Sequence, residues 1–461
     1  MNLAQYTKEF RYNLRLAMPI ILSMLGHTLV GVIDNAMVGK IGTTELAAVS
    51  LGNSYIFLVL SFGIGFSTVI TTLTAEAHKM NNFKWGKSIL KHGILINVLM
   101  SLFLIGLLFF SETLMRITKQ PENVITLAIP YINLVAISLI PVMFFQSFKQ
   151  FSDGFSLTKY SLYVTIIGNI VNVILNYLFI YGNFGCPKLG ILGAGIGTLA
   201  SRFIMPFFLW YFLYKDKRTS GYVVGFKWNS LHKETIKKLI NLGVPSGLQM
   251  IFEAGVFIVA IWISGKLGTN YQASNQIALS LASMTFMISA GMSTVAMIRV
   301  GNYKGLNDYI NLRRVAFSIF LFVLISQIFL ALLIFSLKDI LPILFLDSEN
   351  LTTIQNVNFV IEDASKLLLI AGIFQIADGL QVVALGALRG LQDVKIPMIF
   401  TFISYWLIAF PVSYILGIYT DLKTSGIWIG LLLGLTFAAI MLVMRFVLLS
   451  KKLILIHHKN I

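Results

Sequence analysis

The chain has 461 residues, 57% of them apolar or aromatic and only 12% charged, with a mean hydropathy of +0.82. A soluble globule carries about twice that share of charge, so a water-soluble protein is excluded, as are a disordered chain and an outer-membrane barrel, whose strands alternate over about ten residues. The net charge of +16 reads as basic loops holding a membrane protein in place rather than as a nucleic-acid surface, and the single cysteine, Cys186, excludes an internal disulfide or a cysteine metal site.

About twenty apolar residues cross a bilayer, and twelve such segments follow one another. The first, 13–36, carries Pro19, His27 and Asp34; no cleavage pattern precedes it, so it is a retained helix. Spans 46–70, 89–110 and 124–148 come next. The fifth, 160–182, places Asn169, Asn172 and Asn176 at i, i+3 and i+7, a polar stripe suited to a cavity wall or to interhelical contact. The sixth, 190–213, holds Arg202. A basic linker runs over about 214–236. The seventh span, 237–264, carries Pro245, Gln249 and Glu253, with Gln249 one turn before Glu253 on the same face. The eighth, 274–299, opens on Asn275 and Gln276, a further polar candidate. The ninth is 315–337. In the tenth, 358–385, Gln375 and Gln381 flank Asp378 at three residues on either side. Spans 397–418 and 425–448 complete the chain, giving an all-α polytopic fold.

With the N-terminus in the cytoplasm, 26 basic residues fall on the cytoplasmic side and 7 on the other, with only Arg202 and Lys366 inside spans. That asymmetry predicts both termini in the cytoplasm. The chain also repeats itself. A shift of 226 residues lays Pro19 on Pro245, GKIGT at 39–43 on GKLGT at 265–269, and Ser67-Thr68-Val69 on Ser293-Thr294-Val295. Gly154 and Lys159 have looser counterparts at Gly390 and Lys395. Six helices form the unit, so the halves are parallel in topology: an N-lobe over 1–225 and a C-lobe over 226–461.

Of nineteen acids, only Asp34, Glu253 and Asp378 lie well inside spans. Each costs about 2.5 kcal/mol or more at mid-membrane, so each must face a cavity or a partner. Such carboxylates take up a proton or Na⁺, and neutral oxygens from Gln249, Gln375 and Gln381 suit a hard cation. Pro19 and Pro245 free backbone carbonyls in matching helices and read as bends or hinges. No GxxxxGK[ST] motif and no catalytic constellation is present, so the chain reads as a gradient-driven transporter and not an enzyme, without a cofactor.

These residues resemble the multidrug and toxic compound extrusion (MATE) family, in its NorM-like bacterial branch. The likeness spans nearly the whole chain and rests on VIDNAMVGKIGTTELAAVSLG, SFKQFSDGFSLTKYSLY, GILGAGIGTLASR, GVPSGLQMIFEAGVF, GALRGLQDVKIP and FISYWLIAFPVSYILG. The resemblance implies two six-helix lobes around a V-shaped cavity, exporting drugs in exchange for Na⁺ or H⁺ from the bacterial inner membrane. Asp34 matches the family's essential acid of the first helix, with Asn172 and Asn176 as its partners. Glu253 and Asp378 match its C-lobe cation site, where they would ligate Na⁺ if Na⁺ is the coupling ion. Two positions depart from relatives: Phe374 stands where some carry a tyrosine, and Asn275 where several carry a histidine. Partners implied are small organic cations and the lipid bilayer, with no nucleic acid, for a monomer. The alternative is a lipid-linked saccharide flippase of related fold, which would need a strongly basic cavity.

Overall fold

A computed structural model describes residues 6–226, 231–345 and 354–459. Residues 227–230 of the linker, with Lys227, lie outside the described residues. Among those described, every regular element is helical, as a bilayer demands of a chain that must satisfy its backbone internally. The first half holds α1 (Phe10–Gly39), α2 (Thr43–Lys79), α3 (Phe83–Leu108), a short α4 (Ser111–Ile117), α5 (Glu122–Ile137), α6 (Leu139–Gly154), α7 (Thr158–Tyr181) and α8 (Ile191–Lys215). The second holds α9 (Lys233–Leu267), α10 (Thr269–Gly305), α11 (Tyr309–Leu337), α12 (Ile354–Gly390), α13 (Lys395–Phe402), α14 (Phe410–Tyr419) and α15 (Lys423–Lys459).

Eleven stretches among the described residues are long and apolar enough to cross a membrane, and twelve if the bent pair α5–α6 is one span. The predicted span 124–148 is that pair, broken at Ser138 and bent by 41°. Pro141 supplies the cause: it has no N–H for the carbonyl of Ile137, the last residue of α5. Arg202 Nη1 donates to Ser138 Oγ at 2.7 Å, so the guanidinium is anchored at the buried break. The predicted span 397–418 is also irregular. A π-turn over Ile403–Ala409 joins α13 to α14, and Phe410 N–H donates to the Tyr405 carbonyl. Pro411 again lacks the N–H that Leu407 would need, and the wider turn absorbs the mismatch.

The sequence repeat extends into backbone detail. Helices α2 and α10 begin and end 226 residues apart, each with 37 residues. The turn that follows repeats too: Asn81 and Asn307 are left-handed, at φ 53° and 55°. Asn82 then caps α3 by accepting from Trp85 N–H, and Asp308 caps α11 by accepting from Asn311 N–H, both at 3.0 Å. Further along, a Cβ on Gly154 would meet the Thr71 carbonyl and Thr74; one on Gly390 would meet the Met297 carbonyl and Val300. These contacts are the same pair of neighbours in each half.

The chain divides into two compact units. One is Met18–Ile251; the other joins the described residues up to Ala17 to those from Phe252 onward. Helices α1 and α9 therefore each begin in one unit and end in the other, with Pro19 and Pro245 near the change. In the first unit Phe66, Leu73, Ile89, Phe148 and Phe151 centre one apolar cluster, and Ile132, Met115 and Leu104 another. In the second, Tyr405, Trp428, Leu431 and Phe374 lie at the centre. Arg299 ties the N-terminal segment to the second unit, donating to Glu9 Oε2 at 2.8 Å and Asn13 Oδ1 at 2.6 Å.

Candidate functional site

Asp34 lies five residues before the end of α1, among three residues of α7 and α8. Asn176 Nδ2 donates to Asp34 Oδ1 at 2.6 Å. Asn172, in the amide orientation that satisfies both its ends, donates to the same oxygen at 2.8 Å and accepts from Thr198 N–H at 3.3 Å. Both amides belong to α7, one turn apart, so the helical period sets them side by side. Two neutral donors on one oxygen fix the carboxylate without neutralising its charge, and Oδ2 takes neither bond. Asn172 and Asn176 are buried, at 4% and 0% exposure. Arg202 and Tyr131 lie within electrostatic reach of Asp34.

Asn169, the third amide of the stripe, does something else. Its Nδ2 donates to the Gly26 carbonyl at 2.8 Å, tying α7 to α1 one turn or more away from Asp34. His27 stands beside it, Nε2 3.5 Å from Thr165 Oγ1, and Thr165 Oγ1 lies 2.8 Å from Ser23 Oγ. The stripe is thus split between a helix tie and a carboxylate clamp.

The second acidic cluster belongs to α9 and α12. Asp378 is buried and within electrostatic range of Glu253, as is Arg389. Asp378 Oδ1, Gln375 Oε1 and both polar atoms of Gln381 are buried without a hydrogen-bond partner among the described residues. Gln375 Nε2 donates to the Gln327 carbonyl at 3.4 Å. Gln327 Nε2, held by Ser289 Oγ, leaves its own Oε1 unpartnered. Buried polar atoms are seldom left so, and the excess here is of acceptor oxygens. Two carboxylates with neutral oxygens are a donor set for a hard monovalent cation or a proton. Among the described residues no group of three His, Cys, Asp or Glu side chains gathers for a transition metal.

One further oxygen joins this cluster, from a residue the sequence reading missed. Tyr405, in the π-turn, is fully buried, its hydroxyl unpartnered and within electrostatic reach of both Glu253 and Asp378. An aromatic in an apolar span carries no signal of its own; the nearby Pro411 was the available hint. Thr198 and Gln327 were missed likewise. Other expected residues stand apart or differ. Gln276 is exposed, and Gln249 is fully buried on the part of α9 that belongs to the first unit. Lys366 pairs with Glu362 at 2.7 Å at the surface.

The MatE family model matches residues 19–178 and 245–415, two stretches that begin at the prolines superposed by the 226-residue shift. The chain is 29% identical over 444 residues to the multidrug resistance protein NorM of Photobacterium profundum, covering 95% of each. It is 32% identical to the multidrug resistance protein MdtK of Proteus mirabilis, again over 95% of each. Its fold is similar to the crystal structure of a eukaryotic MATE transporter, with a TM-score of 0.87 and 19% identity over 97% of this chain and 99% of that one. An outward-facing multidrug resistance MATE family transporter superposes with a TM-score of 0.84, at 19% identity over 96% of both chains.

Proposed function

Because the chain belongs to the MatE family, we propose that it exports organic, often cationic, compounds across the bacterial inner membrane in antiport with Na⁺ or H⁺, with both termini in the cytoplasm. The observation that carries this reading is the pair of acidic stations, one in each repeat half, over 1–225 and 226–461. Asp34 is clamped by two amides, and Asp378 shares its helix with unpartnered amide oxygens and lies within electrostatic range of Glu253. An ionised carboxylate in a low-dielectric interior attracts a cation strongly, and the same charge attracts a cationic substrate. Exchange follows when the two compete.

In the proposed cycle the coupling ion enters at Glu253 and Asp378 and favours the outward-facing state, which releases drug. A change of charge at Asp34 reshapes the first half. Organic cation then displaces the coupling ion. Pro19 and Pro245, each inside a helix that passes from one unit to the other, are the hinges in this reading. The flippase alternative calls for a strongly basic cavity, whereas the two basic residues expected inside spans are engaged elsewhere, Arg202 with Ser138 and Lys366 with Glu362.

The test is export of a fluorescent organic cation from proteoliposomes under an imposed Na⁺ or proton gradient, each alone. Wild type should export under at least one gradient, and Glu253→Gln and Asp378→Asn should lose gradient-dependent export. Wild-type rates in both variants would refute the coupling role.

A further inference from the structure

Between α7 and α8 the helices approach so closely that Gly197 has no room for a side chain. A Cβ there would lie 2.1 Å from Asn176 Oδ1 and 3.1 Å from its Cγ. That Oδ1 is buried and has no hydrogen-bond partner among the described residues. A polar oxygen pressed without a partner against a glycine is unfavourable by itself. It is the far end of the amide whose Nδ2 donates to Asp34 at 2.6 Å. The amide is turned so that its nitrogen reaches the carboxylate, and its oxygen must then fall over Cα of residue 197.

We infer that Gly197 is a positioning residue of the Asp34 station: the missing side chain lets Asn176 hold its amide on the carboxylate. The inference rests on the functional reading of Asp34 above. Ordinary helix packing is the competing explanation, and the second half provides the contrast. Gly430 of α15 stands against Ser413 of α14, where a Cβ would meet Ser413 Oγ but also its backbone N and Cα, at 2.4 and 2.6 Å. There the glycine admits backbone, and Ser413 Oγ donates to the Ile427 carbonyl at 2.9 Å. At Gly197 the nearest backbone atom, the Asn172 carbonyl oxygen, is 3.3 Å away. The severe clash is with a movable side-chain end alone. An alanine at 197 therefore asks the α7 backbone to give by only a few tenths of an ångström but requires the Asn176 amide to rotate away from Asp34.

The experiment compares Gly197→Ala, Asn176→Ala, the double variant and Asp34→Asn with wild type in proteoliposomes, reading fluorescent-cation export against the driving Na⁺ or H⁺ concentration. Loss of a hydrogen bond to a charged group predicts a shift of about tenfold in the half-saturating driving ion for Gly197→Ala. Asn176→Ala should shift it similarly, and the double variant should match Asn176→Ala, because the alanine at 176 removes the clash. An unshifted Gly197→Ala, or a double variant whose shifts add, overturns the inference and assigns Gly197 to packing. Wild-type export by Asp34→Asn would instead remove the functional reading of Asp34, and this inference with it. Loss of export in Asp34→Asn beside an unshifted Gly197→Ala removes this inference alone.

Discussion

Phe374 meets Trp428 edge to face, with ring centroids 5.3 Å apart and planes at 65°. Trp428 Nε1 in turn donates to Asn275 Oδ1 at 2.9 Å, and Phe374 reaches on to Phe257 at 6.1 Å. Phe374 and Asn275, which the family resemblance singles out as departures, are thus parts of one buried interlock joining α10, α12 and α15. Phe374 offers no oxygen to the acidic cluster. It is wall, and a buried hydroxyl within electrostatic reach of Glu253 and Asp378 comes from Tyr405.

If Asn275 serves to satisfy the indole, Asn275→Ala strands a buried N–H and should cost about 1 kcal/mol, the scale of interhelical hydrogen bonds in membranes. Phe374→Ala should cost more, about 3 kcal/mol, by emptying a packed aromatic site. Melting temperatures of the purified variants in detergent check both. An Asn275→Ala protein that melts with wild type would show that the tryptophan finds another acceptor.

Tyr405→Phe removes one oxygen and nothing else. Because that hydroxyl has no partner among the described residues, its loss should leave stability unchanged or raise it by up to about 1 kcal/mol. Its loss should also weaken the response to the coupling ion, raising the half-saturating concentration severalfold. Melting and export assays on one preparation give both numbers. Lower stability with unaltered ion dependence would make Tyr405 a structural residue.

The spans, the repeat and the three membrane acids were legible because each leaves a mark that chance seldom makes: long apolar runs, in-frame identities, and charge where charge is costly. Asn172 and Asn176 stood out by helical period as part of a polar stripe, and their pairing with Asp34 was implied only by the family resemblance. Asn169 did not separate from them, since a stripe shows which face is polar and not how far along the neighbouring helix each amide reaches. The break at Ser138 and the π-turn at Ile403–Ala409 arise from prolines whose missing bond falls four residues back. That displacement hid Tyr405. Gly197 carries no mark in the sequence, because what sets it apart is Asn176 Oδ1 packed against it from α7.

Outside the membrane, the Arg218 guanidinium bonds both oxygens of Asp216, at 3.0 and 2.7 Å. These bonds hold the Asp216 carboxyl well below the usual carboxylate range. A depressed folded value means the pair contributes above the unfolded value, near 3.9. The contribution is lost as pH falls from there toward the folded value. Arg218 is 58% exposed, so solvent limits the effect to about 1 kcal/mol at most. Asp216→Asn should melt slightly below wild type at pH 7, with the gap closing in acid. A gap that persists unchanged at pH 3 would contradict an ionic origin.

The repeated turn yields a paired prediction. Asn82 and Asp308 cap equivalent helices through side-chain oxygens at equal distance, so Asn82→Ala and Asp308→Ala should each cost about 1 kcal/mol. Asp308 carries a full negative charge at the positive end of α11, which adds a few tenths of a kcal/mol at low ionic strength. Asp308→Asn keeps the capping acceptor but removes both the charge and the oxygen that accepts from Asn311 Nδ2 at 2.6 Å. Its cost should fall below that of Asp308→Ala, and the charge-dependent part should fade as salt is raised. The preceding residues, Asn81 and Asn307, are left-handed, where a β-branched side chain costs roughly 1–2 kcal/mol. Asn81→Val and Asn307→Val should thus destabilise alike, while glycine at either place should be tolerated. Melting curves of the seven variants measure the series. A large cost at one turn and none at the other would mean that the two turns, matched in backbone, carry unequal loads.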